Sequence, residues 1–323
     1  MEKTKMNTAA ERVKELTDKL EAGVKEVFES EQYKNYLKAM SKFHSYSFGN
    51  VMLILMQCPN ASLVAGFHKW KKDFGRTVKK GEHGIAIIAP TPYKKLVERE
   101  KIDPISKKPI IGQDGKAEKE SVFIQLNSYK IAYVFDVSQT EGRPLPSYGV
   151  DELKGIVDNY DSMLKAVTAA APVPVYFRPP EESKGCYKHK EQAIYINEGM
   201  THIDTLSVLI HEIAHAKLHA LPVKDGEITG KHQKNRRTRE VEAESVAYVV
   251  SQHFGIETGD NSFAYITGWS KGKELDELKS SLDCICSTAG KIIDDIESII
   301  PELAQSKEES RSKPKTKAKC VSR

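Results

Sequence analysis

The 323-residue sequence predicts an α+β protein in two parts. A mixed α/β N-terminal half is followed by a C-terminal half in which a small sheet precedes a helix carrying the motif HExxH. Three observations lead there. Apolar residues recur at helical spacing through the first sixty residues, then give way to short β-branched and aromatic runs. The segment Gly142-Arg143-Pro144-Leu145-Pro146 reads as a linker, after which the alternation of helix and strand restarts. The length is enough for two domains, here bounded at 8–145 and 150–300, with a polar, Lys-rich tail at 304–323 that composition predicts to be disordered.

Taken in order, Thr8-Ala9-Ala10-Glu11 has the form of a capping box, and Val13, Leu16, Leu20, Val24, Val27 and Phe28 follow it as a helical stripe. A second helix runs through Tyr33, Leu37 and Met40, and a third covers Asn50–Gln57 before Pro59-Asn60. Gly84–Pro90 reads as a buried strand, and residues 91–121, rich in Lys, Pro, Asp and Gly, as a loop or loose hairpin. Tyr129–Thr140 is a second strand. Beyond the linker come a helix over Asp151–Ala170 and strands at Pro172–Phe177 and Ala193–Asn197. The HExxH helix follows, and then a helix from about Thr238 to Phe254.

Composition excludes several classes. A net charge of only +4 leaves nucleic-acid binding to local clusters rather than to the whole chain. The longest apolar runs, such as Val51–Met56, are too short to span a bilayer, and no apolar stretch follows Met1-Glu2-Lys3-Thr4. No membrane partner and a cytoplasmic location are therefore expected. Cys58, Cys186, Cys284, Cys286 and Cys320 are scattered without a CxxC pair, which favours reduced thiols over a disulfide framework.

The stretch LIHEIAHAKLH carries the chemistry. His211 and His215, four apart on a helix, share a face and can reach one ion at about 2.0–2.1 Å. Glu212 lies beside that ion as a base able to take a proton from water and deliver it to a leaving amine. Thr201-His202-Ile203-Asp204 can cap the helix, with Ile203, Leu206, Ile210 and Ile213 as its apolar stripe. Ala193–Asn197 is expected as the edge strand along which a peptide lies.

A catalytic zinc site needs a third protein ligand, and TREVEAESVAYVV offers Glu240, Glu242 and Glu244. Glu240 and Glu244 share a helix face. Glu240 is the preferred ligand, with Glu244 as the carboxylate that holds a ligand histidine in its tautomer; Glu242 remains the rival. His219 is about 12 Å beyond His211 along the axis, too far to share its ion, and is expected to pack or to support the site. Zn2+ is the expected cofactor, and the same donors suit Mn2+ or another transition metal.

The order LSVLIHEIAHAKLH then EVEAE resembles the zincin-like metallopeptidases of the ImmA/IrrE type over roughly residues 150–260. That resemblance implies His211, His215 and Glu240 as ligands and Glu212 as acid/base.

The N-terminal half holds a second cluster. Lys69, Lys71, Lys72, Arg76, Lys79 and Lys80 stand against the single acid Asp73, with Phe67, Trp70 and Phe74 interleaved. Cations that track phosphates and a Trp70 on which a base stacks would suit single-stranded nucleic acid. The same three aromatics have the spacing of a helix core face, which would make the lysines its solvated side.

Phe48, Asn50, Leu53 and Ile54, followed by Pro-Asn, by FHKW, by GRTVKKGEHGIAI and by YVFDVSQTEG, resemble the N-terminal domain of the ArdC-type antirestriction proteins over about residues 8–145. The resemblance implies a single-stranded-DNA-binding domain ahead of a zincin-like one, in a protein that accompanies a mobile element and blunts host restriction. A host or element-encoded protein would be the peptidase substrate. Two other functions fit the same residues: a DNA-binding module whose metal is structural or vestigial, and a regulatory peptidase of the ImmA type that cleaves a repressor.

Overall fold

The computed structural model describes residues 8–27, 30–104, 106–112, 115–145, 160–256, 269–270 and 272–312. It opens with three helices, α1 (Ala9–Val27), α2 (Ser30–Lys42) and α3 (Phe48–Gln57). The capping box forms: the Glu11 carboxylate accepts from the Thr8 N–H at 2.6 Å, and Thr8 Oγ1 accepts from the Glu11 N–H at 3.2 Å. Phe28 lies outside the described residues. Then come β1 (Val64–Gly66), α4 (Phe67–Phe74), β2 (Arg76–Val78), and the long strands β3 (Ile85–Glu100) and β4 (Lys119–Asp136), with β5 (Thr140–Gly142) pairing with β2.

The sheet order is β1-β4-β3, all antiparallel, so β3 is an edge. Helix α3 covers part of that edge. The Asn50 amide pairs with both the N–H and the C=O of Ile88 at 2.9 Å, and the Gln57 amide does the same for Ala86 at 2.9 Å. Two side-chain amides thus satisfy backbone groups that a neighbouring strand would otherwise claim.

Of the two readings of residues 91–121, loop or hairpin, the structure has the hairpin, and it is a regular one. The two strands continue in register out to the pair Glu100–Lys119, and only residues 101–118 turn between them. Most of Thr91–Glu100 is exposed, so this strand lacks the buried alternation by which strands are recognised.

In the C-terminal half, α5 (Tyr160–Ala169) is followed by β6 (Val175–Arg178), β7 (Gly185–Lys188) and β8 (Ala193–Asn197). Residues 151–159 of the expected first helix, and the expected domain boundary near 146–150, lie outside the described residues. The strand order β6-β8-β7 corrects one expectation: Ala193–Asn197 is the middle strand, and the edge is Gly185–Lys188. Ala193, Ile194, Ile196 and Asn197 are buried, as a central strand requires, whereas Gly-Cys-Tyr-Lys has no apolar run to announce it.

Helix α6 (His202–His219) carries HExxH, and Thr201 Oγ1 caps it by accepting from the Asp204 N–H at 3.1 Å. Leu206, Ile210 and Ile213 are buried, while Ile203 is exposed. The small hairpin β9 (Val223–Lys224) and β10 (Glu227–Ile228) leads to α7 (Arg236–His253), capped by the Asn235 side chain. The last helix, α8 (Leu275–Ser312), was not foreseen; it extends through 304–312, part of the expected tail, and 313–323 lie outside the described residues.

Buried side chains from Leu20 to Val134 and from Met163 to Ile296 form one cluster. Helix α2 backs directly onto α7, where the Tyr33 hydroxyl and Ser245 Oγ hydrogen-bond at 2.8 Å in the interior. Among the described residues no helix is long and apolar enough to cross a membrane.

Candidate metal centre

Helices α6 and α7 pack side by side and bring three ligand atoms together. His211 Nε2 lies 3.0 Å from His215 Nε2, and Glu240 Oε2 lies 3.8 Å from the first and 3.4 Å from the second. Four ligands placed tetrahedrally at about 2.1 Å around one ion stand about 3.4 Å apart. The three observed separations bracket that value.

The protons decide whether these atoms repel or converge on something. Carboxylates only accept, so His211 must donate from Nδ1 to Glu244 Oε2, 3.1 Å away. Likewise His219 must donate from Nε2 to Glu242 Oε2 at 3.1 Å. Burial, partly opposed by Glu242, holds His219 below the ordinary histidine range, so its Nδ1 carries a lone pair. That lone pair accepts from His215 Nδ1 at 3.1 Å. With these tautomers assigned from the network, both facing Nε2 atoms are bare, beside an anionic carboxylate. Such a cluster is repulsive unless a cation sits within it. Burial pulls His211 down, but Glu244, Glu212 and Glu240 outweigh it and leave its affinity for a proton raised. Glu240 is held below the usual carboxylate range, first by His215 and then by His211 and Arg236, against its partial burial.

Glu242 is turned away from the His211–His215–Glu240 cluster, toward His219 and Lys234. It is 0% exposed and takes Lys234 Nζ at 2.6 Å on its other oxygen, whereas the Glu240 side chain is 43% exposed and faces the cleft. Burial pushes Glu242 up, but His219 and Lys234 hold it ionised and below its ordinary range. The order Lys234–Glu242–His219–His215 is a continuous chain. It supplies a role for Glu242 that helical spacing could not, because the partners arrive from a different loop and helix. Glu244 lies on the far side of the His211 ring from Glu240, against its Nδ1.

Glu212 is 8% exposed, and burial raises its carboxyl above the usual range despite His211 and His215. The Tyr187 backbone of β7 also draws it down, but by less than burial raises it. An open cleft of ≈ 300 Å³ is lined by Gly185, Cys186 and Tyr187 of β7 and by His211, His215 and Glu240 with Arg236 and Arg239. The free edge of β7 can pair with an extended chain laid along this cleft.

The expected nucleic-acid residues separate into two groups. Trp70 is 0% exposed, and its Nε1–H donates to the Phe135 carbonyl at 2.9 Å, so it is a core residue and cannot stack on a base. The Arg76 guanidinium donates to Thr140 Oγ1, Thr140 O and Arg143 O, and Lys79 Nζ donates to Ser138 O; both serve the β2–β5 region. Lys69, Lys71, Lys72 and Lys80 remain exposed. The aromatic surface lies elsewhere and was missed. Tyr129 and Tyr133 are each 54% exposed and Phe123 71%, on alternate residues and therefore one face of β4. Phe67, also 54% exposed, joins its end through Phe135, ring to ring at 6.1 Å.

Residues 6–135 match the family model of the N-terminal domain of anti-restriction factor ArdC, and residues 169–251 match that of the IrrE N-terminal-like domain. An uncharacterized protein of Bacillus anthracis is 30% identical over 338 residues, which take in 94% of this chain and 54% of that protein. The chain thus spans about half the length of the curated relative it matches. Among solved structures, antirestriction ArdC protein from plasmid R388 aligns in its Mn(II)-bound form with a TM-score of 0.47, 18% identity, and coverage of 89% of this chain and 97% of that one. Its metal-free form aligns with a TM-score of 0.42 at 18% identity, covering 79% and 84%.

Proposed function

We propose that this chain, an ArdC-type protein in its pairing of an ArdC N-terminal domain with an IrrE-like domain, is a divalent-metal hydrolase of the peptidase type that also binds single-stranded DNA and serves antirestriction. The observation that carries the hydrolase reading is the convergence of His211 Nε2, His215 Nε2 and Glu240 Oε2, all acceptors, within 3.0–3.8 Å. These residues would hold Zn2+, with Mn2+ as the other ion suited to the set. When bound, such an ion polarises a carbonyl and acidifies water. The remaining work falls to the chain's own groups. Glu244 and His219 fix the two imidazoles in the tautomer that leaves Nε2 free. The Glu212 carboxylate accepts the proton of the attacking water and returns it to the leaving nitrogen. The β7 edge aligns the peptide.

The DNA reading rests on the exposed lysines Lys69, Lys71, Lys72 and Lys80 and on the rings of Phe67, Tyr129 and Tyr133, which offer the stacking surface that Trp70 does not.

The test loads the purified protein with Zn2+ or Mn2+, counts bound metal by native mass spectrometry, and follows cleavage of a degenerate peptide library. One ion per chain is expected in both wild type and Glu212→Gln, with cleavage only in wild type. Undiminished cleavage by Glu212→Gln sinks the assignment. In cells, transfer of unmodified plasmid into a restricting host is expected to rise when the protein is present.

A further inference from the structure

A second pocket of ≈ 280 Å³ adjoins the metal cleft, and Arg239 lines both. Its other walls are Lys231, His232 and Lys234 on one side and Leu218, Leu221 and Pro222 on the other. Arg239 Nε is buried without an acceptor, and so is Nδ1 of His189, which faces the cleft and packs edge-on against His232 with ring centroids 4.9 Å apart. Among the described residues no carboxylate forms an ion pair with Arg239 or Lys231. The two acids nearest in sequence are already engaged, Glu240 with His211 and His215, and Glu242 with His219 and Lys234. A guanidinium with a buried, unmet donor is costly, and Arg239 and Lys231 bring two cations to one small cavity without a carboxylate paired to either.

We propose that this pocket is a subsite for an acidic side chain of the peptide substrate, whose carboxylate accepts from Arg239 while the neighbouring backbone lies in the metal cleft. The inference rests on the hydrolase reading above. The apolar wall of Leu218, Leu221 and Pro222 suits the methylenes of a glutamate better than it suits a phosphodiester.

The test uses short peptide hydroxamates that differ only in the residue beside the hydroxamate (Glu, Gln or Leu), titrated calorimetrically into the Zn2+-loaded full chain. The Glu compound is expected to bind at least about tenfold tighter than Gln or Leu, a difference of about 1.4 kcal/mol. Arg239→Met should abolish that preference, and Arg239→Lys should restore part of it, with melting curves reporting whether each variant is folded. Equal affinity of wild type for all three compounds overturns the acidic subsite and leaves the hydrolase reading standing. Failure of every hydroxamate to bind sinks the hydrolase reading and the subsite with it. If a thymidine oligonucleotide displaces the Glu compound from wild type but not from Arg239→Lys, the pocket belongs to phosphates and the inference is wrong.

Discussion

His215 is held from both ends: its Nε2 faces the metal position, and its Nδ1 donates into a chain that passes through His219 and Glu242 to Lys234. Breaking that chain should free the ring without removing a ligand. His219→Phe and Glu242→Gln are each expected to weaken Zn2+ binding about 10–100-fold in competition with a chromogenic chelator. Glu240→Gln, which removes a proposed ligand, should weaken it further. If Glu242→Gln proves the more damaging of the two glutamate changes, the ligand assignment is reversed. The sequence made part of this site legible. Helical periodicity puts His211 and His215 on one face and Glu240 and Glu244 on another, and the structure brings those faces together. The role of Glu242 depends on where His219 and the loop bearing Lys234 come to rest, and local spacing carries no such information. Trp70 was misread for a related reason: a tryptophan among lysines looks the same whether its ring faces solvent or the Phe135 carbonyl.

Strand β7 is an element whose placement hangs on one residue. A Cβ built on Gly185 would stand 2.5 Å from Val208 Cγ1 and 3.3 Å from Glu212 Cγ, so the strand lies against α6 only because glycine is there. Gly185→Ala should push the edge strand away from Glu212, costing about 1–3 kcal/mol in urea unfolding. It should lower peptide cleavage while one Zn2+ still binds. Unchanged cleavage would mean that β7 does not align the substrate. The β3–β4 hairpin supports a separate expectation. Tyr129→Ala and Tyr133→Ala should each weaken binding of a labelled single-stranded oligonucleotide by about 1–3 kcal/mol, the usual worth of a stacked base. Trp70→Phe should lower the melting temperature and leave DNA affinity alone. An inverted result, with DNA binding lost in the Trp70 variant and kept in the tyrosine variants, would return the aromatic contact to α4. Both strands were hard to see in advance because strand recognition relies on burial: the outer part of β3 has little, and β7 has only four residues.

The whole molecule is joined through polar contacts as well as through its single core, and one of these ties the N-terminal helices to the last two. His253, at the end of α7, donates from Nδ1 to the Ser41 carbonyl of α2 at 2.8 Å and meets Glu297 of α8 through Nε2 at 2.8 Å. Because Nδ1 must donate to a carbonyl and Nε2 faces a carboxylate, the fully paired ring is the imidazolium. Burial pulls His253 down, but Glu297, the Ser41 carbonyl and Asp294 together raise it. The hydrogen bond from His253 in turn holds Glu297 below its usual range against partial burial. His44, edge-on to His253 at 4.8 Å and 3.7 Å from Asp294, is lowered by burial and then by His253. A histidine raised by folding contributes stability in full below its unfolded value of about 6.5 and loses it as pH climbs through the higher folded value. The lowered Glu297 contributes above its own unfolded value of about 4.3 and loses its share only as pH falls further. His44 has the opposite sense to His253, its share being present above about pH 6.5 and lost as pH falls. The wild type is therefore compared with His253→Gln, which keeps a donor for Ser41 but no charge. From pH 6 to pH 9 the stability advantage of wild type should shrink by about 0.5–1 kcal/mol, the discounted worth of a partly exposed pair. A thermal melt would register that as a few degrees. A constant advantage across that range would mean that His253 is neutral in the folded protein and that its charge does not help to tie the two halves together.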